Sequence, residues 1–282
     1  MTRTVYVNGA YMPEDQAKIS IFDRAFLFAD GVYEVTAVVG GKMVDFDPHI
    51  ARLHRSLDEL EMACPLGDDA LREMHEELIG RNGLDEGVVY MQITRGVADR
   101  DFTYPEDAEP TVIGFTQVKP LIDSPQARSG VTVVTIPDIR WRRRDIKSTA
   151  LLAQAMGKQA AKTHDAYEAW MVEDGYVTEG TSSSAFIVTG GDTIVTRQLS
   201  NDILPGVTRR AILKLSADAG IAVEERLFTV DEAKAASEAF LTSASSFVLP
   251  IVRIDGQQIG DGTPGPVVAK LREVYLKEAA GA

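Results

Sequence analysis

The chain has 282 residues, a formal net charge of −13 and a hydrophobic fraction of 45%. That length carries one large or two medium domains with a sizeable core, and so acidic a chain excludes nucleic acid and anionic membrane as expected partners. The single cysteine, Cys64, excludes an intrachain disulfide and fits a reducing, cytoplasmic setting. From the N-terminus, residues 5–9 alternate and close on Asn8-Gly9, a two-residue hairpin signal. Residues 30–39 read as a strand rich in β-branched side chains, Gly40-Gly41 as a turn and 43–46 as the return strand. Asp47-Pro48 signals a helix start, with Asp47 as N-cap and Pro48 at the first helical position. Ile50, Leu53, Leu57 and Leu60 follow at helical spacing, Cys64 reads as filler at that helix's end, and a second helix covers 68–80. Strands at 87–95 and 111–115 flank a polar loop at 96–109, which makes the first part α+β.

A proline-containing linker at 119–128 separates a smaller α+β domain, 1–118, from a larger domain, 129–282. The larger domain opens on a buried strand at 131–136. A helix over 149–163 presents Leu151, Leu152, Ala155, Met156 and Ala160 as its apolar side. A hairpin turns at Asp174-Gly175, and short strands follow at 185–188 and 193–195. Pro205-Gly206-Val207-Thr208 opens a helix that closes at Gly220; strands at 222–224, 239–241 and 248–254 and a helix at 265–279 complete the chain. No apolar run is long enough to span a bilayer, and His49, His54, His75 and His164 lack metal-ligand spacing, so no metal is expected.

Lys147 follows Arg142-Arg143-Arg144. A lysine that forms a Schiff base must be available as the neutral amine, and neighbouring positive charge disfavours the ammonium; a surface basic cluster before a helix has the same appearance. Glu179 ends a strand-like run and enters a small-residue turn, where a carboxylate could keep a cofactor's ring nitrogen protonated; alone it reads as a turn glutamate. Gly206-Val207-Thr208 at a helix start suits a phosphate, through backbone N–H groups and a hydroxyl. The small polar loop Thr242-Ser243-Ala244-Ser245 could approach the same phosphate, and Arg52 could add a paired contact.

In combination, Arg52-Leu53-His54, Lys147, the Glu-Gly-Thr-Ser-Ser-Ser run at 179–184, the Leu-Pro-Gly-Val-Thr-Arg run at 204–209 and the 242–245 loop resemble, in order and spacing, the fold type IV pyridoxal-phosphate enzymes. This family includes D-amino acid and branched-chain aminotransferases, (R)-selective amine transaminases and aminodeoxychorismate lyases. The resemblance implies two α/β domains, the second barrel-like, with pyridoxal 5′-phosphate between them and a homodimer completing the site. By position it makes Lys147 the Schiff-base lysine and proton shuttle, and Glu179 the ring-nitrogen partner. Arg52, Val207, Thr208, Ser243 and Ala244 become phosphate ligands, Leu204 packs against the ring, and Tyr33 lines the substrate pocket with Ser183. D-amino acid aminotransferases carry an arginine and, two residues on, a histidine that hold the substrate carboxylate. Here Arg100 matches the first and Phe102 stands in place of the second. Ala37 occupies a position where D-specific relatives often have lysine, and Ala244 one where a threonine is common. The resulting expectation is transamination of D-amino acids onto 2-oxoglutarate or pyruvate. The alternatives are an (R)-amine transaminase, suggested by Phe102 and Ala37; a branched-chain aminotransferase, which the three serines after Thr181 fit less well; an aminodeoxychorismate lyase; and a non-catalytic binding protein on the same scaffold.

Overall fold

The computed structural model describes residues 2–281. Its chain divides into two compact units: one runs to Pro120 and takes back Ile146–Ala150, and the other consists of Leu121–Asp145 and Leu151–Gly281.

The first unit is built on a six-stranded antiparallel sheet. Its elements are β1 (Thr4–Val7), β2 (Ala10–Pro13), α1 (Arg24–Phe28), β3 (Gly31–Val39), β4 (Lys42–Val44), α2 (Phe46–Glu59), α3 (Asp68–Asn82), β5 (Glu86–Thr94) and β6 (Thr111–Val118), with strand order β2-β1-β6-β5-β3-β4. Both short hairpins have two consecutive left-handed residues, Asn8 (φ 46°) with Gly9 (φ 89°) and Gly40 (φ 57°) with Gly41 (φ 73°). That is the turn whose twist matches paired strands. Leu53, Leu57, Leu71, Met74, Leu78, Met91 and Ile93 are fully buried between α2, α3 and the sheet.

Helix α2 begins earlier than Asp47-Pro48 suggests. Asp45 is the N-cap, in a left-handed conformation and without a side-chain cap bond. Burial decides this: Phe46 is drawn into the core edge-on to His75, ring centroids 5.2 Å apart, while Asp47 is left outside to pair with Arg72 at 2.5 Å. Pro48 is tolerated because first-turn N–H groups have no intrahelical acceptor. Cys64 follows α2 and is half-buried, its thiol donating to the Leu66 carbonyl.

His75 gives the first unit an acid sensitivity. It is wholly buried, with Nδ1 2.8 Å from the Leu71 carbonyl, and burial pushes its pKa down to about 4. The folded state therefore resists a proton that the unfolded chain accepts from about pH 6.5 downward. Stability falls as pH drops through this window, by about 3 kcal/mol from this residue. Urea unfolding at pH 7 and pH 4.5 should show most of that loss, and His75→Leu should flatten it; an unchanged slope in the variant counts against the assignment.

The second unit comprises α4 (Pro125–Ser129), β7 (Val131–Pro137), α5 (Leu152–Thr163), β8 (Glu168–Glu173), β9 (Tyr176–Gly180), β10 (Ser184–Thr189), β11 (Thr193–Thr196), α6 (Val207–Asp218), β12 (Val223–Glu225), α7 (Val230–Ala235), β13 (Glu238–Ser243), β14 (Phe247–Ile254), β15 (Gln257–Gln258) and α8 (Pro266–Gly281). Its nine-stranded sheet runs β12-β11-β10-β13-β14-β7-β8-β9, with β15 beside β14. Pairings β14–β7, β7–β8 and β11–β12 are parallel and the rest antiparallel. Within the span 119–128, Ser124 caps α4 by accepting from the Ala127 amide.

Helix α5 differs from the 149–163 expectation in two ways. It starts at Leu152, because Thr149 donates its N–H to the Gly31 carbonyl and Ser148 bridges Val32. Its buried side is Gly157 and Ala161, whereas Leu152 and Met156 are exposed, at 76% and 55%. A Cβ on Gly157 would lie 2.5 Å from Thr181 Cγ2 and 2.9 Å from Ile136 Cδ1, so the helix seats through its small residues. Among the described residues no helix is long and apolar enough to cross a membrane.

Candidate active site

In the first unit the returning segment 146–150 places Lys147. Its carbonyl accepts from the Tyr33 amide at 3.0 Å, and its own N–H donates to Ser56 Oγ on α2 at 3.2 Å. Lys147 Nζ stands 4.1 Å from the centroid of the Tyr33 ring, which stacks on Tyr90 at 5.5 Å. Backbone pairing to β3 thus fixes the lysine stem, and its Nζ lies against an aromatic face. The neighbouring arginine run is not a pool of uncompensated charge. Arg143 pairs with Asp145 at 3.1 Å, and Arg144 with Glu173 at 2.8 Å and Asp138 at 3.3 Å.

Arg52 lies on α2 with its Nε and Nη2 on the two oxygens of Glu34, at 2.8 and 2.7 Å. Glu34 Oε2 also meets His49 Nδ1 at 2.7 Å. On the loop between β5 and β6, Arg100 and Phe102 are exposed. The Arg100 guanidinium lies 5.4 Å from the centroids of both Phe28 and Phe102. Phe102 thus offers Arg100 a ring face where a histidine would offer a hydrogen bond. Ala37 is buried in β3, opposite Val44 and Val88.

In the second unit Glu179 sits near the end of β9, buried. Its Oε1 accepts from Arg140 Nη1 at 2.5 Å, and the Leu204 amide lies 3.2 Å from each carboxylate oxygen. Arg140 is held from behind by Asp138, with Nε at 3.0 Å and Nη2 at 2.7 Å, and Asp138 also accepts from Thr178 at 2.7 Å. Burial pushes the Glu179 carboxyl upward, while Arg140 and the Leu204 amide pull it back. The result is a desolvated carboxylate held in one orientation.

Gly206 is the N-cap of helix α6, with Val207 and Thr208 as the first, buried helical residues; these N–H groups have no intrahelical acceptor by construction. A Cβ on Gly206 would lie 2.8 Å from Ser184 Oγ and 3.1 Å from Arg209 Cβ, so a side chain there would have to displace the Ser184 hydroxyl. At the end of β13, Ser243 Oγ lies 2.7 Å from Ser246 Oγ of the following loop, where Ala244 adds no hydroxyl. The neighbouring Thr242 hydroxyl is buried and has no partner among the described residues. Ser183 donates to Glu168 Oε2 at 3.2 Å, beside Ser182 at 3.1 Å and Lys158 at 3.0 Å, with Thr181 also bonded to Glu168.

Three residues to which the sequence assigns no role carry this geometry: Glu34, His49 and Arg140. Glu34 has a usable signal, a carboxylate in the middle of an apolar strand. Arg140 has only Asp138 two residues before it. Each unit taken by itself offers donor types that pyridoxal phosphate takes: an amine and an arginine in the first, and in the second a buried carboxylate, a helix N-terminus and the unpartnered Thr242 hydroxyl beside a serine loop.

The family profile described as amino-transferase class IV matches residues 31–254. A D-alanine aminotransferase of Bacillus licheniformis is 38% identical over 282 residues, covering 98% of this chain and 98% of that protein. A D-alanine aminotransferase of Staphylococcus aureus (strain N315) is 37% identical over 276 residues, covering 97% and 96%. Among solved structures, the T.th. branched-chain amino acid aminotransferase with pyridoxamine 5′-phosphate superposes with a TM-score of 0.91 at 26% identity, covering 100% of this chain and 95% of that one. The chain belongs to the class IV amino-transferase family, and is a pyridoxal-phosphate-dependent aminotransferase of the fold type IV architecture.

Proposed function

We propose that the protein transfers the amino group of D-amino acids, D-alanine among them, to 2-oxoglutarate or pyruvate. The observation that carries this reading is near-full-length similarity at 37–38% identity to D-alanine aminotransferases, together with Arg100 on the loop where a substrate carboxylate is expected. Pyridoxal phosphate supplies the electron sink that stabilises negative charge at the substrate Cα. Lys147 Nζ would hold the cofactor and would be the base that moves the proton at the substrate Cα. Glu179 keeps the ring nitrogen protonated, and Leu204 both packs beside the ring and tethers Glu179. Arg52, the Val207 and Thr208 amides, Ser243 and the Ala244 backbone hold the phosphate. Tyr33 lines the pocket, Arg100 binds the α-carboxylate through paired hydrogen bonds, and Phe102, Ala37 and Ser183 are the positions that tune it. The protein acts in the cytoplasm as a homodimer. Exposed apolar side chains support the dimer: Phe26 at 76% and Phe102 at 79% in the first unit, and Leu152 at 76% in the second.

A substrate panel tests this. D-alanine with 2-oxoglutarate should turn over with a kcat/KM about 10- to 100-fold above (R)-1-phenylethylamine, the span a bidentate carboxylate contact supplies. Faster turnover of L-leucine or of the amine would replace the reading with the branched-chain or (R)-amine alternative.

A further inference from the structure

Arg52 is not a loose surface arginine. Its guanidinium is gripped on one edge by Glu34, through Nε to Oε1 at 2.8 Å and Nη2 to Oε2 at 2.7 Å, a parallel two-bond fork. Glu34 is 0% exposed and Arg52 9% exposed. The carboxylate is fixed in turn by His49, whose Nδ1 lies 2.7 Å from Oε2 and whose ring is 2% exposed. All three come from two packed elements: Glu34 from β3, and His49 and Arg52 from successive turns of α2, where a spacing of three places them on one face. Glu34 is the next residue on β3 after Tyr33, so alternation turns the two side chains to opposite faces of the strand.

An ionised carboxylate without partners in this position would be costly. Burial alone would raise the Glu34 pKa; the charge and two hydrogen bonds of Arg52, with His49, outweigh this and hold it well below the usual carboxylate range. Burial keeps His49 neutral, so its Nδ1–H donates to Glu34. The trio is one positive, one negative and one neutral group. Its arrangement fixes the plane of the guanidinium, which a long flexible arginine on a helix does not otherwise have.

We infer that Glu34, backed by His49, is the positioning residue that aims Arg52 at the cofactor phosphate, so that the affinity of the enzyme for the phosphate group depends on a carboxylate that never touches it. The inference rests on the assignment of Arg52 as a phosphate ligand. It explains why an acidic residue is buried close to a phosphate-binding arginine, where simple charge complementarity would exclude it. The carboxylate weakens the net positive charge of the site, and in exchange it removes the rotamer freedom of the arginine.

The test is a comparison of two cofactor forms. Full-length apoprotein is titrated with pyridoxal 5′-phosphate and, separately, with pyridoxal, which has the same ring and aldehyde without phosphate. Visible absorbance reports binding. Glu34→Gln is expected to weaken pyridoxal phosphate about 10-fold or more while leaving pyridoxal unchanged, because a charged fork becomes a neutral amide contact. Glu34→Asp keeps the carboxylate one methylene back, guards against loss of folding, and should show a smaller selective loss. Equal weakening of both ligands in the two variants means that Glu34 only supports the fold, and overturns the inference. Arg52→Ala separates the levels: selective loss of pyridoxal phosphate there, with none in Glu34→Gln, removes the positioning role and keeps Arg52 as a phosphate ligand. No selective loss in Arg52→Ala removes the phosphate assignment itself, and the inference with it.

Discussion

Lys147→Ala is expected to lower kcat for D-alanine by at least about 10³-fold, since it would remove the proposed covalent attachment and proton carrier together. Borohydride reduction followed by mass spectrometry should no longer find cofactor on the chain. The surrounding structure isolates this effect. The lysine stem is held by backbone bonds, Tyr33 N–H to the Lys147 carbonyl at 3.0 Å and Lys147 N–H to Ser56 Oγ at 3.2 Å, and neither involves the side chain. Truncation therefore leaves the segment paired to β3. Lys147→Arg is the companion variant: it keeps a cation over the Tyr33 ring but offers no amine able to form the bond. Activity above about a tenth of wild type in either variant would mean that another group does this chemistry.

Glu179→Gln carries the second largest expected effect, a fall in kcat of about 10²- to 10³-fold, the range seen when a preorganised electrostatic group is removed from a reacting site. Glutamine has the same shape, and its carbonyl can still accept from the Leu204 amide. Arg140 stays anchored by Asp138 at 2.7 and 3.0 Å, so no buried guanidinium is abandoned. The loss should therefore fall on kcat more than on KM, and cofactor should remain reducible onto Lys147. A variant with near wild-type kcat would show that the ring nitrogen needs no carboxylate here. Loss of the borohydride-fixed cofactor would instead make Glu179 an anchor of the cofactor rather than a tuner of its chemistry.

Local patterns read correctly from the chain wherever a short stretch decides its own conformation. Asn8-Gly9, Gly40-Gly41 and Asp174-Gly175 each adopt two left-handed residues because glycine, asparagine and aspartate bear that conformation best. The start of α6 at Gly206-Val207-Thr208 follows from the same local chemistry, whereas the class of cofactor came from the resemblance that five spaced motifs carry together.

Where local patterns mislead, a distant partner has overruled them. Asp47-Pro48 is a valid cap signal, but the burial of Phe46 outweighs it and α2 starts earlier. A helix reaching back to 149 suits the sequence, yet Thr149 is claimed by β3 through its bond to Gly31. Leu152 and Met156 read as the apolar side of that helix, yet Gly157 and Ala161 face inward because close approach outranks hydrophobicity there. The short helices α1, α4 and α7 leave no trace in the pattern, because five or six residues are too few for a periodic signal.

The sequence by itself determined the main hairpins, written in residue type along one stretch, and, through its resemblance to a family, the fold class, with Lys147, Glu179 and Arg52 as candidates for the cofactor chemistry and Phe102, Ala37 and Ala244 as departures from the family pattern. Only the tertiary structure decided what those groups lean on. Arg52 on Glu34 and His49, Glu179 on Arg140 and the Leu204 amide, and Lys147 on β3 and Ser56 are contacts between residues 3 to 114 positions apart. Most of them lie beyond any local pattern, and the free energy that fixes them is that of burying charge with its partner.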